Sequence, residues 1–194
     1  QGNAALAWSL IHEGLPTGPE TAPEDSAGYT LPLRTLAVML ALDADDRELA
    51  RAWLMSLDQW LDWSGRVPGR AHAPLCWAAC HRAAGGEAPA RARGIGALAA
   101  AAAPRQPLTL LAAHRLLGEI DLAEGRLTDA EAELTAALAL ADACGARHER
   151  ALTLLALAEM LGARGDLPAA RGHLDTVRAI CRPMGATVTL VQAD

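Results

Sequence analysis

Small and large apolar residues return along this chain at a step of 40 positions. Ala50, Ala90, Ala130 and Ala170 share one register. Four positions on stand Leu54, Gly94, Leu134 and Leu174, and three further on Leu57, Ala97, Ala137 and Val177. Apolar residues at +4 and +7 from a small one lie on a single face of a helix. Upstream, Ala37, Trp77, Leu117 and Leu157 coincide, followed by Val38, Ala78, Gly118 and Ala158. A large residue, a small one and then a break describe the first helix of a hairpin, and the small-residue register describes a second helix packing on it. Asp45, Gly85, Gly125 and Gly165 mark one break in each period; Gly65, Gly145 and Gly185 mark the other, with Arg105 standing in once. The pattern therefore predicts an all-α chain of antiparallel helix hairpins.

Helix punctuation places the boundaries. Gly125 ends one helix, and Thr128-Asp129-Ala130-Glu131 reads as a capping box that opens the next. Gly165-Asp166-Leu167-Pro168 sets a stop, an N-cap and a first-turn proline in order. Asp45 and Asp46 serve as caps for the helix running to about Trp63. Gly85-Gly86-Glu87-Ala88-Pro89 is the weakest break, and Gly94 weakens the helix after it. Hairpins are predicted over 31–64, 71–103, 107–144 and 148–184. Ahead of them, 4–13 reads as a helix and 15–28 as a loop rich in Pro, Gly, Thr and Glu, so that 1–30 is the end of a preceding repeat plus a loop. Residues 187–194 read as the start of a further, truncated helix. The chain opens on Gln1, and a stack cut at both ends exposes apolar end faces, so a longer parent protein is expected.

Leu117-Gly118, Ala130, Leu134 and Ala137 follow the spacing of the tetratricopeptide (TPR) motif, with Leu in place of its aromatic. The period of that motif is about 34 residues, so the surplus here lengthens helices or loops. The resulting expectation is a TPR-like right-handed superhelix of antiparallel hairpins with a 40-residue repeat. The stretches ARAWLMSLDQWLDWSGRVPGRAHAPLCWAACHRAAG (50–85) and PRQPLTLLAAHRLLGEIDLAEGR (104–126), with ALALADACGARHERALTLLALAEML (137–161) and AICRPMGA (179–186), resemble the TPR region of large ATP-binding LuxR-family transcription regulators. Their layout resembles that of the maltose-regulon activator. Trp53, Trp60, Trp63, Ser64 and Gly65 carry the most particular part of the likeness. The resemblance implies a parent with a nucleotide-binding module before this region and a helix-turn-helix DNA reader after it. It implies that this part is a non-catalytic interaction domain, sensing a protein partner or small effector. DNA would be met only through the missing module. A stand-alone TPR adaptor that recruits a partner peptide is the alternative reading.

Composition narrows the chemistry. Hydrophobic residues make up 52% of the chain, yet Phe is absent and Tyr29 is the single tyrosine, so a core must be built of Leu, Ala and Trp. Such a palette suits closely packed helices and not a sheet. All 17 basic residues are arginine. A Walker A loop and lysine Schiff-base chemistry both need a lysine, so neither is expected here. A net charge of −6 offers no electrostatic reason to bind nucleic acid. The longest apolar run, 97–103, is far short of the ~18–20 residues of a membrane span. Cys76, Cys80, Cys144 and Cys181 read as reduced, buried thiols, and the compartment as cytoplasmic. Homo-oligomers are allowed by the pattern but not required.

Candidate sites follow from the expected stack, in which the first helix of each repeat lines a concave face. That face carries His72, Arg82, Arg115, Glu119 and Glu159, with Met39, Leu75 and Leu155. Paired guanidiniums and carboxylates there suit a peptide carboxylate or a polar ligand; the plainer reading is solvated charges and internal ion pairs. His72, Cys76 and Cys80 share a helix face and His81 lies beside them, but no second ligand pair accompanies them, and the cysteines read as packing residues. Trp53, Trp60 and Trp63 read as one core-facing stripe, and Trp77 as core. His148-Glu149-Arg150 lacks the second histidine of H-E-x-x-H, because position 152 is Leu. No G-x-S-x-G surrounds any serine, and Asp43, Asp45 and Asp46 lack the rest of a calcium loop. No catalytic set, metal site or cofactor site is expected, and the chain does not read as an enzyme.

Overall fold

The computed structural model describes residues 3–25, 30–65 and 69–194. Among them run ten α-helices and no strand: α1 (Ala4–Gly14), α2 (Thr30–Asp43), α3 (Arg47–Ser64), α4 (His72–Ala83), α5 (Glu87–Ala102), α6 (Pro107–Ala123), α7 (Leu127–Cys144), α8 (Arg147–Arg164), α9 (Leu167–Met184) and α10 (Thr187–Ala193). Two short 3₁₀ turns, Gly18–Glu20 and Pro23–Asp25, lie in the segment read as a loop, whose last residues fall outside the described ones. The chain divides into two compact units, 3–100 and 101–194.

Backbone sign changes set the rhythm. Glycines 65, 85, 125, 145, 165 and 185 all have positive φ, and Asp45 joins them at φ 53°. A left-handed residue just past a helix lets the next amide turn back onto carbonyls of the last turn, and glycine adopts it without a Cβ penalty. Ala146 N–H thus donates to the Ala141 carbonyl at 2.9 Å, and Asp166 N–H to that of Leu161 at 2.9 Å. Gly94, by contrast, does not interrupt α5.

Helix starts agree in part with the expected caps. The Asp46 carboxylate accepts from Leu49 N–H at 3.0 Å and that of Asp166 from Ala169 N–H at 3.1 Å, with Pro168 in the first turn of α9. Thr128 is not a cap. Helix α7 begins at Leu127 with Arg126 in the cap position and no side-chain cap bond, so Thr128 already lies inside the first turn. Asp45 is likewise no N-cap but the left-handed residue that ends α2.

In the unit 3–100, α2 and α3 pair, α1 lies on α2, and α4 touches both members of the pair. Its core gathers Ile11, Val38, Trp53, Leu54, Leu57 and Trp60. Trp53 and Trp60 are each 1% exposed, but Trp63 is 58% exposed. Residues 53 and 60 are almost two full turns apart, whereas 63 is rotated about 60° from 60 at 100° per residue, and it sits in the final turn of α3. The Trp53 indole N–H has no hydrogen-bond partner among the described residues. Its ring therefore serves as bulk, filling volume that phenylalanine fills elsewhere. Trp77 is only half-buried, packed against this core from its edge.

In the unit 101–194, α6 pairs with α7 and α8 with α9; α8 touches both α6 and α7, and α10 touches both α8 and α9. Both helices of each pair thus pack against the helix that follows the pair. Gly118 of α6 shows why these pairs form. A Cβ there would stand 2.7 Å from Leu134 Cγ and 3.3 Å from the Ala130 carbonyl of α7. Ala130, Leu134 and Ala137 are fully buried beneath that contact. Arg178 closes the end of this unit, reaching Asp175 at 2.9 Å, Asp194 at 3.0 Å and the Ala193 carbonyl, so that α10 is tied to α9.

Close approach and open surface make opposite predictions for glycine. Gly118→Ala should lower stability by ~1–3 kcal/mol, as overpacking does, and Ala130→Leu should act in the same direction. Gly96→Ala, in a helix interior with nothing within 4 Å of the new Cβ, should raise it by roughly 0.5–1 kcal/mol. Urea unfolding of the variants checks both signs; a neutral Gly118→Ala would refute the tight contact.

Candidate functional site

Of the residues expected on a recognition face, His72 and Arg82 lie at opposite ends of α4, Arg115 and Glu119 on α6, and Glu159 on α8. Within the unit 101–194, the contact of α6 with α8 brings the last three onto neighbouring first helices. Arg115 is engaged: its Nη1 meets Glu149 of α8 at 2.5 Å and its Nε meets Glu119 at 3.8 Å. The Arg115 side chain is 16% exposed, and through Glu149 it staples α6 to α8. His114, next along, bonds Glu133 of α7 at 2.7 Å. Of the apolar companions, Met39 is exposed, but Leu155 is buried in the core of its unit and does not line a surface.

Burial lowers the proton affinity of two histidines. It pushes His72 down from the ordinary 6.5. His148 is pushed down too, chiefly by burial, against the opposing pull of Glu149 and with help from Arg115. Cys76 is carried the other way, up to about 12, by burial and by the charge of Asp58. Such a thiol is a packing group and a poor nucleophile or metal ligand at neutral pH. Cys181 is buried as well, but Cys80 is only half-buried and Cys144 is exposed at the end of α7, so the expectation of four buried thiols holds for two of them. Among the described residues no cluster of three or more His, Cys, Asp or Glu side chains is arranged to hold a metal, and no helix is long and apolar enough to cross a membrane.

Two features were invisible to sequence reasoning. The first is Arg34 of α2, which is 0% exposed. Its Nε donates to Ser56 Oγ at 3.2 Å, its Nη1 to Thr30 Oγ1 at 2.7 Å and its Nη2 to the Thr21 carbonyl at 3.2 Å. All three acceptors are neutral, and burial lowers the guanidinium to about 10. It remains charged at neutral pH and joins α2, α3 and the segment after α1 at one point.

The second is a cleft of about 320 Å³ walled by α3, α4 and α5. Asp58 and Asp62, one helical turn apart on α3, line it together with Arg70, Arg93 and Ala73, Pro74 and Trp77 of α4. Asp58 Oδ2 accepts the Trp77 indole N–H at 2.8 Å. The Arg93 guanidinium carbon lies 5.9 Å from the centre of the Trp77 ring, in cation–π range. The Asp58 and Asp62 spacing was readable, but Arg70 and Arg93 come from other elements and nothing local couples them to it.

No protein-family model matches the chain, and the search of curated proteins returned no similar sequence.

Two predictions follow from these groups. The unfolded chain binds protons at His72 and His148 more readily than the folded one. Stability should therefore fall as pH drops through 6.5 toward the lowered folded values and be insensitive to these groups above it. The double variant His72→Gln/His148→Gln should flatten that slope between about pH 7 and 5, read from urea midpoints; an unchanged slope refutes the burial argument. Arg34→Ala should cost about 2–5 kcal/mol, because it opens a cavity and strands buried hydroxyls. Amide hydrogen exchange should then show the segment around Thr21 losing protection ahead of α3.

Proposed function

We propose that this chain is the TPR-like regulatory domain of a bacterial LuxR-type transcription regulator, a right-handed superhelix of helix hairpins that binds a protein partner or a small effector. The observation that supports this reading best is the recurrence of one unit of packing. Helices begin at Arg47, Glu87, Leu127 and Leu167, a constant 40 residues apart, and those at Arg47, Leu127 and Leu167 each pair with the helix before them. Such a module stacks by repetition and presents the same face of each first helix side by side, which suits extended recognition surfaces. His72, Arg82, Arg115, Glu119 and Glu159 are the polar residues assigned to that face. The domain carries no chemistry in this reading and acts in the cytoplasm. It converts occupancy of the face into a change felt by an ATP-binding module and a DNA-binding module elsewhere in the parent. A free-standing adaptor binding a partner peptide is the second reading, favoured by the same repeat.

The parent reading frame separates the two. A Walker A motif before this region and a helix-turn-helix after it support the regulator; a frame lacking both leaves the adaptor. In the regulator, Glu119→Ala with Glu159→Ala should reduce inducible reporter transcription at least tenfold while operator binding by the purified protein persists. Full induction by the double variant would remove these residues from the recognition face.

A further inference from the structure

The cleft between α3, α4 and α5 shares none of its lining residues with the face just described and stands independently of the regulator reading. Among the described residues that line it, the charges balance: Asp58 and Asp62 against Arg70 and Arg93. Yet they are not spent on one another. Asp62, Arg70 and Arg93 are exposed. Among the described residues, the side chains of Asp62 and Arg70 have neither a hydrogen bond nor an ion pair, and that of Arg93 has only its contact with the Trp77 ring. Asp58 is held by the indole N–H, which fixes its carboxylate against the Trp77 ring. The ring in turn holds the Arg93 guanidinium over its face.

Opposite charges that wall one cavity without neutralising each other leave two poles open. A simple anion drawn to the guanidiniums would also meet the acidic wall of α3. A simple cation drawn to Asp62 would meet Arg70 and Arg93. A ligand that carries both signs satisfies both walls at once, because complementary potentials select by sign as well as by strength. Leu61, Ala73 and Pro74 line the same cleft and give it an apolar part, with Pro74 the most exposed of the three.

We propose that this cleft binds an α-amino-acid-type zwitterion, a free amino acid or a short peptide with an apolar side chain. The carboxylate meets Arg70 and Arg93, and the ammonium meets Asp62. Trp77 is the positioning residue that sets the height of Arg93.

The test titrates L-leucine and L-leucyl-L-leucine into the full 194-residue chain, with calorimetry and the Trp77 indole N–H resonance as readouts. N-acetyl-L-leucine keeps only the anion and L-leucinamide only the cation. Saturable binding of at least one zwitterion is expected, moving the Trp77 resonance. Each single-charge analogue should bind at least tenfold more weakly, as should the zwitterion to Arg93→Gln or Asp62→Asn, both exposed positions whose circular dichroism and melting should match the parent chain. Preference for leucine identifies a free amino acid as the natural class, and preference for the dipeptide identifies a peptide. Absence of saturation by both zwitterions overturns the proposal. So does N-acetyl-leucine binding as tightly as leucine, or binding that survives both substitutions.

Discussion

How near two helices come is decided by the smallest side chain between them, and here that distance controls the rest. Gly118 lies under Leu134 so closely that a single methyl group would collide with it. The aligned alanines Ala50, Ala90, Ala130 and Ala170 are 0, 0, 0 and 7% exposed. A chain without phenylalanine has few ways to fill wide gaps, so it brings the backbones together until leucine and alanine suffice. Dispersion contacts are individually weak and fade within a fraction of an ångström, which makes close approach the condition for a core of this kind. Where a wider gap does occur, in the unit 3–100, Trp53 and Trp60 occupy it.

Once pairs form, each leaves an apolar flank that only the next pair covers. In the unit 101–194, α8 is shared between α6 and α7 on one side and α9 and α10 on the other. The buried run Thr153–Ala158 faces all of them, which is why α8 is the most continuously buried helix of the chain. Polar links reinforce this order. Arg115 joins α6 to α8 through Glu149, Arg164 joins α8 to Glu131 of α7, and Arg126 holds the turn before α7 by bonding the buried Asp121. Exposed pairs of this type add little energy, but they bias which surfaces meet.

Arginine is the chain's only basic side chain, and its copies have been put to different uses. Arg34 is buried among neutral oxygens and acts as a structural bolt. Arg115, Arg126, Arg164 and Arg178 are occupied by carboxylates of neighbouring turns and helices. Arg70 and Arg93 border a cleft beside Asp62 and are not consumed in that way. Recognition needs charges with unused capacity, and the cleft is a place where the fold preserves both signs.

Local chemistry made the helices legible in advance. Helical hydrogen bonds span four residues and side-chain faces recur every 3.6, so the small-residue register, the glycine breaks and the caps at Asp46 and Asp166 could be read from the amino-acid order alone. The same order led Trp63, Trp77 and Leu155 astray, since a helix face says which residues align but not how far the neighbouring helix extends to cover them. Thr128 misled for a related reason: with Arg126, held by Asp121 and Glu124, in the cap position, α7 begins two residues earlier than expected. The burial of Arg34 and the meeting of Asp62, Arg70 and Arg93 around Trp77 depend on elements far apart in the chain. Periodicity carries no information about such distances, so tertiary packing alone decided them.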